Sequence, residues 1–146
     1  VKVSGKRFRT NMISTITNRG KLRFMVFNER FTSSVFINFL KRLIKGVKNK
    51  IFLIIDVHPV HKSKSVKKWV LENENKIEIF LLPAYSPELN PDEYLNQDYK
   101  SNVHKNGLPK NQKELKENTQ NYMESLQKNP QKVANFFLHP SVKYAS

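Results

Sequence analysis

The residues best placed to do chemistry are carboxylates. Asp56 closes the apolar run IFLII, Ile51 to Ile55, and in open α/β sheets functional groups gather just past the carboxyl ends of strands. The plain alternative is a turn or capping residue. Glu93 is the second candidate, in the first turn of a helix whose start is marked by Asn90 and then Pro91. Its plain alternative is a capping partner, because a Glu three residues after an Asn cap often satisfies the cap's backbone amide. The two roles are compatible. A carboxylate near a helix N-terminus is favoured in its charged form by the macrodipole, and a charged oxygen ligand is what a hard cation requires. Asp92 and Asp98 compete with Glu93 for this role. At roughly 100° per residue, Asp92 points well away from Glu93 and Asp98 is turned about 140° from it. The three cannot all face Asp56, and one of them is expected to.

His58 and His61 follow Asp56 in the segment DVHPVH. Zinc is the weaker reading, because no third or fourth ligand of the usual kind is near and Pro59 breaks any helix that would align the pair. The better functional reading has His58 orienting a carboxylate or a phosphate beside Asp56, with simple loop packing as its alternative. Lys62, Lys64, Lys67 and Lys68 lie on a helix that starts close to Asp56. They could meet phosphates or form a solvated face. Trp69 reads as core rather than as a platform for a base.

The charge balance points to a polyanion. The 146 residues carry 26 Lys or Arg against 12 Asp or Glu, for a net charge of +14. Residues 1–50 hold 13 basic side chains against Glu29 alone, whereas residues 51–100 hold 6 against 8 and include all three aspartates. A basic body around a local group of carboxylates suits a protein that attracts a nucleic acid and holds a cation against it. Ten Phe, five Tyr and a Trp are too many aromatics for a disordered chain. The absence of cysteine excludes disulfides, thiolate catalysis and cysteine-ligated zinc. No apolar run approaches the ~18 residues of a membrane span, so a soluble intracellular protein without a membrane partner is the expectation.

Elements of regular structure must position these groups. Arg7 to Thr17 and Lys21 to Phe27 read as strands joined by a turn at Asn18, Arg19 and Gly20. Thr32 to Val47 has the period of an amphipathic helix capped by Ser33 or Ser34. IFLII reads as a strand buried on both faces, which implies helices on each side of its sheet. A helix from about His61 to Asn75 and a strand Ile77 to Leu82 follow. The order predicts an α/β sandwich with a mixed sheet. Pro83 to Pro91 is a rigid, proline-punctuated loop, and Asn111 with Glu114 starts a polar helix to about Gln127. Asn129 to Ala145 carries Val133, Phe136, Phe137 and Val142, enough to dock a final helix. The chain reads as one domain over 1–146, with residues 100–146 as peripheral C-terminal helices.

Two blocks carry a family resemblance. IFLIIDVHPVHKSKSVKKWV and IEIFLLPAYSPELNPDEYLNQDYK resemble the catalytic domain of mariner-related bacterial insertion-sequence transposases, the DDE superfamily endonuclease domain. The matching features are an apolar strand ending in Asp, a His-x-x-His segment, a basic helix, and a Tyr-Ser-Pro-x-Leu-Asn-Pro-x-Glu block. Softer similarity extends to GKRFRTNMISTITNRGKLRF and FFLHPSVKYA. The resemblance implies a ribonuclease-H-like mixed sheet flanked by helices. It also implies metal-dependent DNA cleavage and strand transfer by three carboxylates holding two Mg2+ or Mn2+ ions, with Asp56 second in the triad and Glu93 third. The implied partners are transposon ends and target DNA in a prokaryotic, nucleoid-associated setting, with a homodimer as a further expectation.

The departures are specific. The family's first Asp ends an opening strand, and no Asp precedes Asp56 in this chain. On the family's map the first strand is lacking, and an upstream segment would supply that Asp. Three explanations stay open: an excerpt of a longer protein, one frame of a split transposase, or a decayed remnant. A chain with two of three carboxylates is expected to cleave DNA poorly or not at all, so whether it is an enzyme stays open. The rival reading is a non-catalytic basic DNA-binding protein.

Overall fold

Local pairing comes first at the hairpin. In the computed structural model, which describes residues 10–105 and 107–146, strands β1 (Asn11–Ile16) and β2 (Leu22–Phe27) run antiparallel with Asn11 opposite Phe27 and Ile16 opposite Leu22. Residues 7–9 of the expected first strand lie outside the described residues. The turn depends on Gly20, whose φ is +90° and whose position leaves no room for a side chain: a Cβ there would stand 2.2 Å from the carbonyl oxygen of Pro130. The hairpin tip is thus pressed onto a segment far along the chain.

Helix α1 (Ser33–Ile44) buries Val35, Phe36, Phe39, Leu40 and Leu43. Thr32, one residue before the expected caps, closes its N-terminus by accepting from the Val35 amide at 3.4 Å. The helix stops three residues short of Val47, because Lys45 turns extended and Gly46 takes a φ of +74°. Strands β3 (Ile51–Ile55) and β4 (Ile77–Leu81) are parallel, with Ile51 opposite Ile77. A 3-10 turn (Pro59–Lys62) and helix α2 (Lys64–Glu72) connect them. The expected start of this helix at His61 is delayed because Ser63 is extended and caps α2 through its Oγ.

Leu53, Ile55 and Ile77 pack with Phe36, Leu40, Leu43 and Val66 into one core. The opposite face of β3 and β4 differs from the expectation for IFLII. Phe52 is 63% exposed and Phe80 46%, with their rings 6.2 Å apart, so helices cover this sheet on one side only among the described residues. The reason is that α1 and α2 both pack against the face bearing Leu53 and Ile55, and an unbroken apolar run does not encode which faces find partners.

The rest of the chain builds a second core. Helices α3 (Pro91–Asn102), α4 (Gln112–Gln127) and α5 (Pro130–Asn135) bury Leu95, Met123, Leu126, Val133 and Phe136 with Leu22 of the hairpin. The polar stretch 100–132 contributes a narrow inner edge of α4, Leu115, Thr119, Met123 and Leu126, while its remaining positions are largely exposed. Beyond α5 the chain forms two 3-10 turns, Phe136–Leu138 and Pro140–Ala145, in place of one helix to Ala145. Pro140 supplies no N–H and forces His139 out of the helical region, at ψ 135°. Among the described residues the strands make two separate two-stranded sheets, one antiparallel and one parallel.

Gly20→Ala is expected to destabilise the chain by about 3 kcal/mol, combining left-handed strain with a backbone clash of the overpacking kind. Urea denaturation measures this as a lowered midpoint.

Candidate active site

Two strand edges face a common groove. Among the described residues β1 and β3 each have one hydrogen-bonded neighbour, and a groove of about 590 Å³ is lined by consecutive residues of both, Asn11–Asn18 and Phe52–Asp56. Side chains alternate across a strand, so lining by every residue means that the edge itself faces the groove. Asn90, Pro91, Asp92, Glu93 and Asn96 also line it, together with His58 and His61. Asp56 from the first core and Glu93 from the second therefore open onto one space.

Asp56 is held locally. Its Oδ1 accepts from the backbone N–H of His58 at 3.2 Å and lies 3.0 Å from Nδ1 of His61, which is also 3.0 Å from the Asp56 carbonyl oxygen. Burial lowers the pKa of His61 below its usual value despite the neighbouring carboxylate, so at neutral pH the contact is a hydrogen bond from a neutral imidazole. Rings of Phe36, at 4.6 Å, and Phe31, at 6.0 Å, fix the His61 plane. The Asp56 side chain keeps 56% of its surface exposed and is free to accept more. His58 meets the Asp56 carboxylate through its backbone N–H alone, while its Nδ1 accepts from the Val60 amide at 3.1 Å. The imidazole contact belongs to His61, five residues from Asp56. Sequence spacing left this unseen because the intervening Pro59 turn had to be known first.

Asn90 caps α3 by accepting from the Asp92 amide at 3.1 Å, and its own amide donates to the Pro87 carbonyl at 3.0 Å. The amide that a capping Glu93 would have satisfied is therefore already paired, which leaves Glu93 available to the groove. Asp92 is engaged differently. Both its oxygens accept from the Ser14 hydroxyl, at 2.8 and 3.0 Å, tying α3 to β1. Burial pushes its pKa up to about 7, the Ser14 bond opposes this, and the negative charges of Glu93 and Asp56 add to it. Asp98 is remote from this chemistry, receiving the Tyr122 hydroxyl, the Lys132 ammonium at 3.1 Å and the Asn102 amide at 3.2 Å.

Lys62, Lys64, Lys67 and Lys68 are exposed, and none is in an ion pair among the described residues. Trp69 packs against the first core. The groove carboxylates are oxygen donors, the right type for a hard divalent cation. Among the described residues, however, no three His, Asp or Glu side chains group closely enough to hold a metal ion, so the donor set fits in kind and is short in number. No helix is long and apolar enough to cross a membrane among the described residues.

Comparison with known proteins gives three findings. A family model described as DDE superfamily endonuclease matches residues 1–116. The insertion element IS630 uncharacterized 39 kDa protein of Shigella sonnei is 31% identical over 97 residues, covering 65% of this chain and 28% of that protein. The chain thus spans little more than a quarter of this relative's length. The crystal structure of the catalytic domain of Mos1 mariner transposase superposes with a TM-score of 0.60 over 93% of this chain and 80% of that one, at 12% identity. That likeness shows a ribonuclease-H-like fold.

The enclosed Asp92 carboxyl generates a pH prediction. Because its folded pKa exceeds the unfolded value of 3.8, its contribution favours folding at low pH and is lost as pH rises from about 4 through about 7. Asp92→Asn removes this loss and keeps an acceptor for Ser14. The variant is expected to gain about 4 kcal/mol over the parent at pH 8 and little at pH 4, as read by urea unfolding of the metal-free chain.

Proposed function

The chain belongs to the DDE superfamily endonucleases, and from that membership we propose that it is the catalytic-domain portion of a DNA transposase, with Asp56 and Glu93 as two of the carboxylates that hold divalent metal against DNA phosphate. The observation carrying this reading is that the two side chains, placed by different cores, open onto one groove. Magnesium or manganese bound there would stabilise both the attacking and the leaving oxygen of an in-line phosphodiester displacement. The chain's own residues orient and attract. His61 and the His58 amide fix one Asp56 oxygen and leave the other free. Lys62, Lys64, Lys67 and Lys68 meet backbone phosphates on the approach.

A third carboxylate is to be supplied by an acidic extended segment from another part of the transposase, seated between β1 and β3. Unpaired strand edges are templates for such pairing. A DNA substrate of this kind would place the protein at the bacterial nucleoid. The second reading, a non-catalytic basic DNA-binding protein, is favoured by the incomplete carboxylate set.

Binding to a short duplex over a salt series, with and without Mn2+, separates the two. The catalytic reading expects Mn2+ to tighten binding, and Asp56→Asn or Glu93→Gln to cut the metal-dependent part by roughly tenfold, the lower range for a damaged metal site. Affinity indifferent to Mn2+ and to both substitutions favours the second reading. Replacing all four lysines by alanine should flatten the log–log salt slope by about 3 to 4, since each phosphate contact contributes about 0.9; an unchanged slope removes the lysine face from the interface.

A further inference from the structure

We propose that Tyr85, at the tip of the loop between β4 and α3, is a stacking site for an unpaired nucleobase of the bound DNA. The proposal rests on the DNA reading above and adds the group that holds the strand end.

Among the described residues Tyr85 is the one non-glycine residue with positive φ, at 56°. L-residues with a bulky side chain avoid this region because Cβ crowds the following carbonyl. Its ring is also fully exposed, at 100%, so the side chain gains no burial in return for the strained backbone. Residues held in such conformations cluster where a ligand is clamped, because surrounding structure must over-determine them.

The loop does over-determine it. Pro83 and Pro87 flank the tip, and the Ser86 hydroxyl donates to the Ala84 carbonyl at 3.2 Å. Two phenols brace the descending side: the Tyr94 hydroxyl donates to the Glu88 carbonyl at 3.2 Å, and the Tyr144 hydroxyl to the Leu89 carbonyl. Tyr94 is itself stacked on His139 at 3.7 Å. These contacts tie the base of the loop to the C-terminal 3-10 turn, so the aromatic ring is presented on a fixed stem. The stem then runs directly into α3, which carries Glu93.

A rigid, wholly exposed ring suits one kind of ligand on a protein of net charge +14. Base stacking on an aromatic face is tolerant of sequence and adds affinity without releasing counterions. A base inside a duplex has both faces covered by its neighbours, so the ligand is a base freed from the stack, as at a nicked or frayed end. An apolar protein partner would use the ring too, and the test below distinguishes it.

The experiment uses the 146-residue chain and two duplexes of equal length, one blunt and one with a three-nucleotide single-stranded end carrying 2-aminopurine. The expected result is roughly tenfold tighter binding of the frayed duplex, in keeping with one stacked base, with quenching of the 2-aminopurine signal. Tyr85→Trp should retain both effects, and Tyr85→Ala should abolish both while leaving blunt-duplex affinity and the salt slope unchanged. Tyr85→Gly keeps the fold testable: it relieves the positive φ, so its thermal midpoint should rise while the preference is lost. Quenching that persists in Tyr85→Gly, or equal loss of both duplexes in Tyr85→Ala, overturns the stacking role and leaves the DNA reading intact. Duplex binding unaffected by Tyr85→Ala with no preference in the parent, the outcome an apolar protein partner for the ring would give, also overturns the stacking role. A parent chain that binds neither duplex overturns this proposal and the DNA reading together.

Discussion

A strand edge without a paired neighbour among the described residues is the constraint around which the molecule is arranged. Backbone N–H and C=O groups need partners, and β1 and β3 each turn one edge toward the same groove. The described strands make two sheets, and each sheet has its own core: α1 and α2 cover β3 and β4, while α3, α4 and α5 cover the hairpin. β1 serves both, since Ile13 packs toward the first core and Met12 and Ile16 toward the second. The groove is the seam between the halves. Every candidate group of the site stands on one side of it or the other.

A few contacts fix the candidate groups on each side of the groove. Ser14 on β1 donates to both oxygens of Asp92, which sets the first turn of α3, and with it Glu93, against the hairpin. Gly20 pressed on Pro130 anchors the far end of the same hairpin. On the other side His61 is wedged among Phe31 and Phe36 and fixes Asp56. Asp92 is poorly suited to a charged role, and its raised pKa reflects its burial first and the nearby charges of Glu93 and Asp56 second. It acts as a strut, and Glu93 is left to face the groove.

What was legible in the sequence follows from range. Local signals worked: the two β-rich runs joined by a turn at Asn18 to Gly20, the four-residue spacing of Val35, Phe39 and Leu43, and the caps at Asn90 and Asn111 all lie close in sequence to the residues they govern. The family blocks around Asp56 and Glu93 led to a DDE endonuclease domain, which the family model matches over residues 1–116. Long-range facts were not legible. Nothing in IFLII tells that one face lacks a helix, and nothing in Ser14 points to a carboxyl in α3. The His61 contact needed the Pro59 turn, and the break at Pro140 outweighed the apolar spacing of Val133, Phe136 and Val142. In each case a partner distant in sequence, or a proline's missing donor, decided the outcome.

The central claim is that Asp56 and Glu93 serve one divalent ion. Anomalous diffraction from crystals of the chain grown with Mn2+ tests it most directly. The account predicts a manganese peak in the groove between β1 and β3, within coordinating distance of a carboxylate oxygen from each residue. Manganese bound elsewhere, or to Asp56 with Glu93 turned away into the second core, would contradict it.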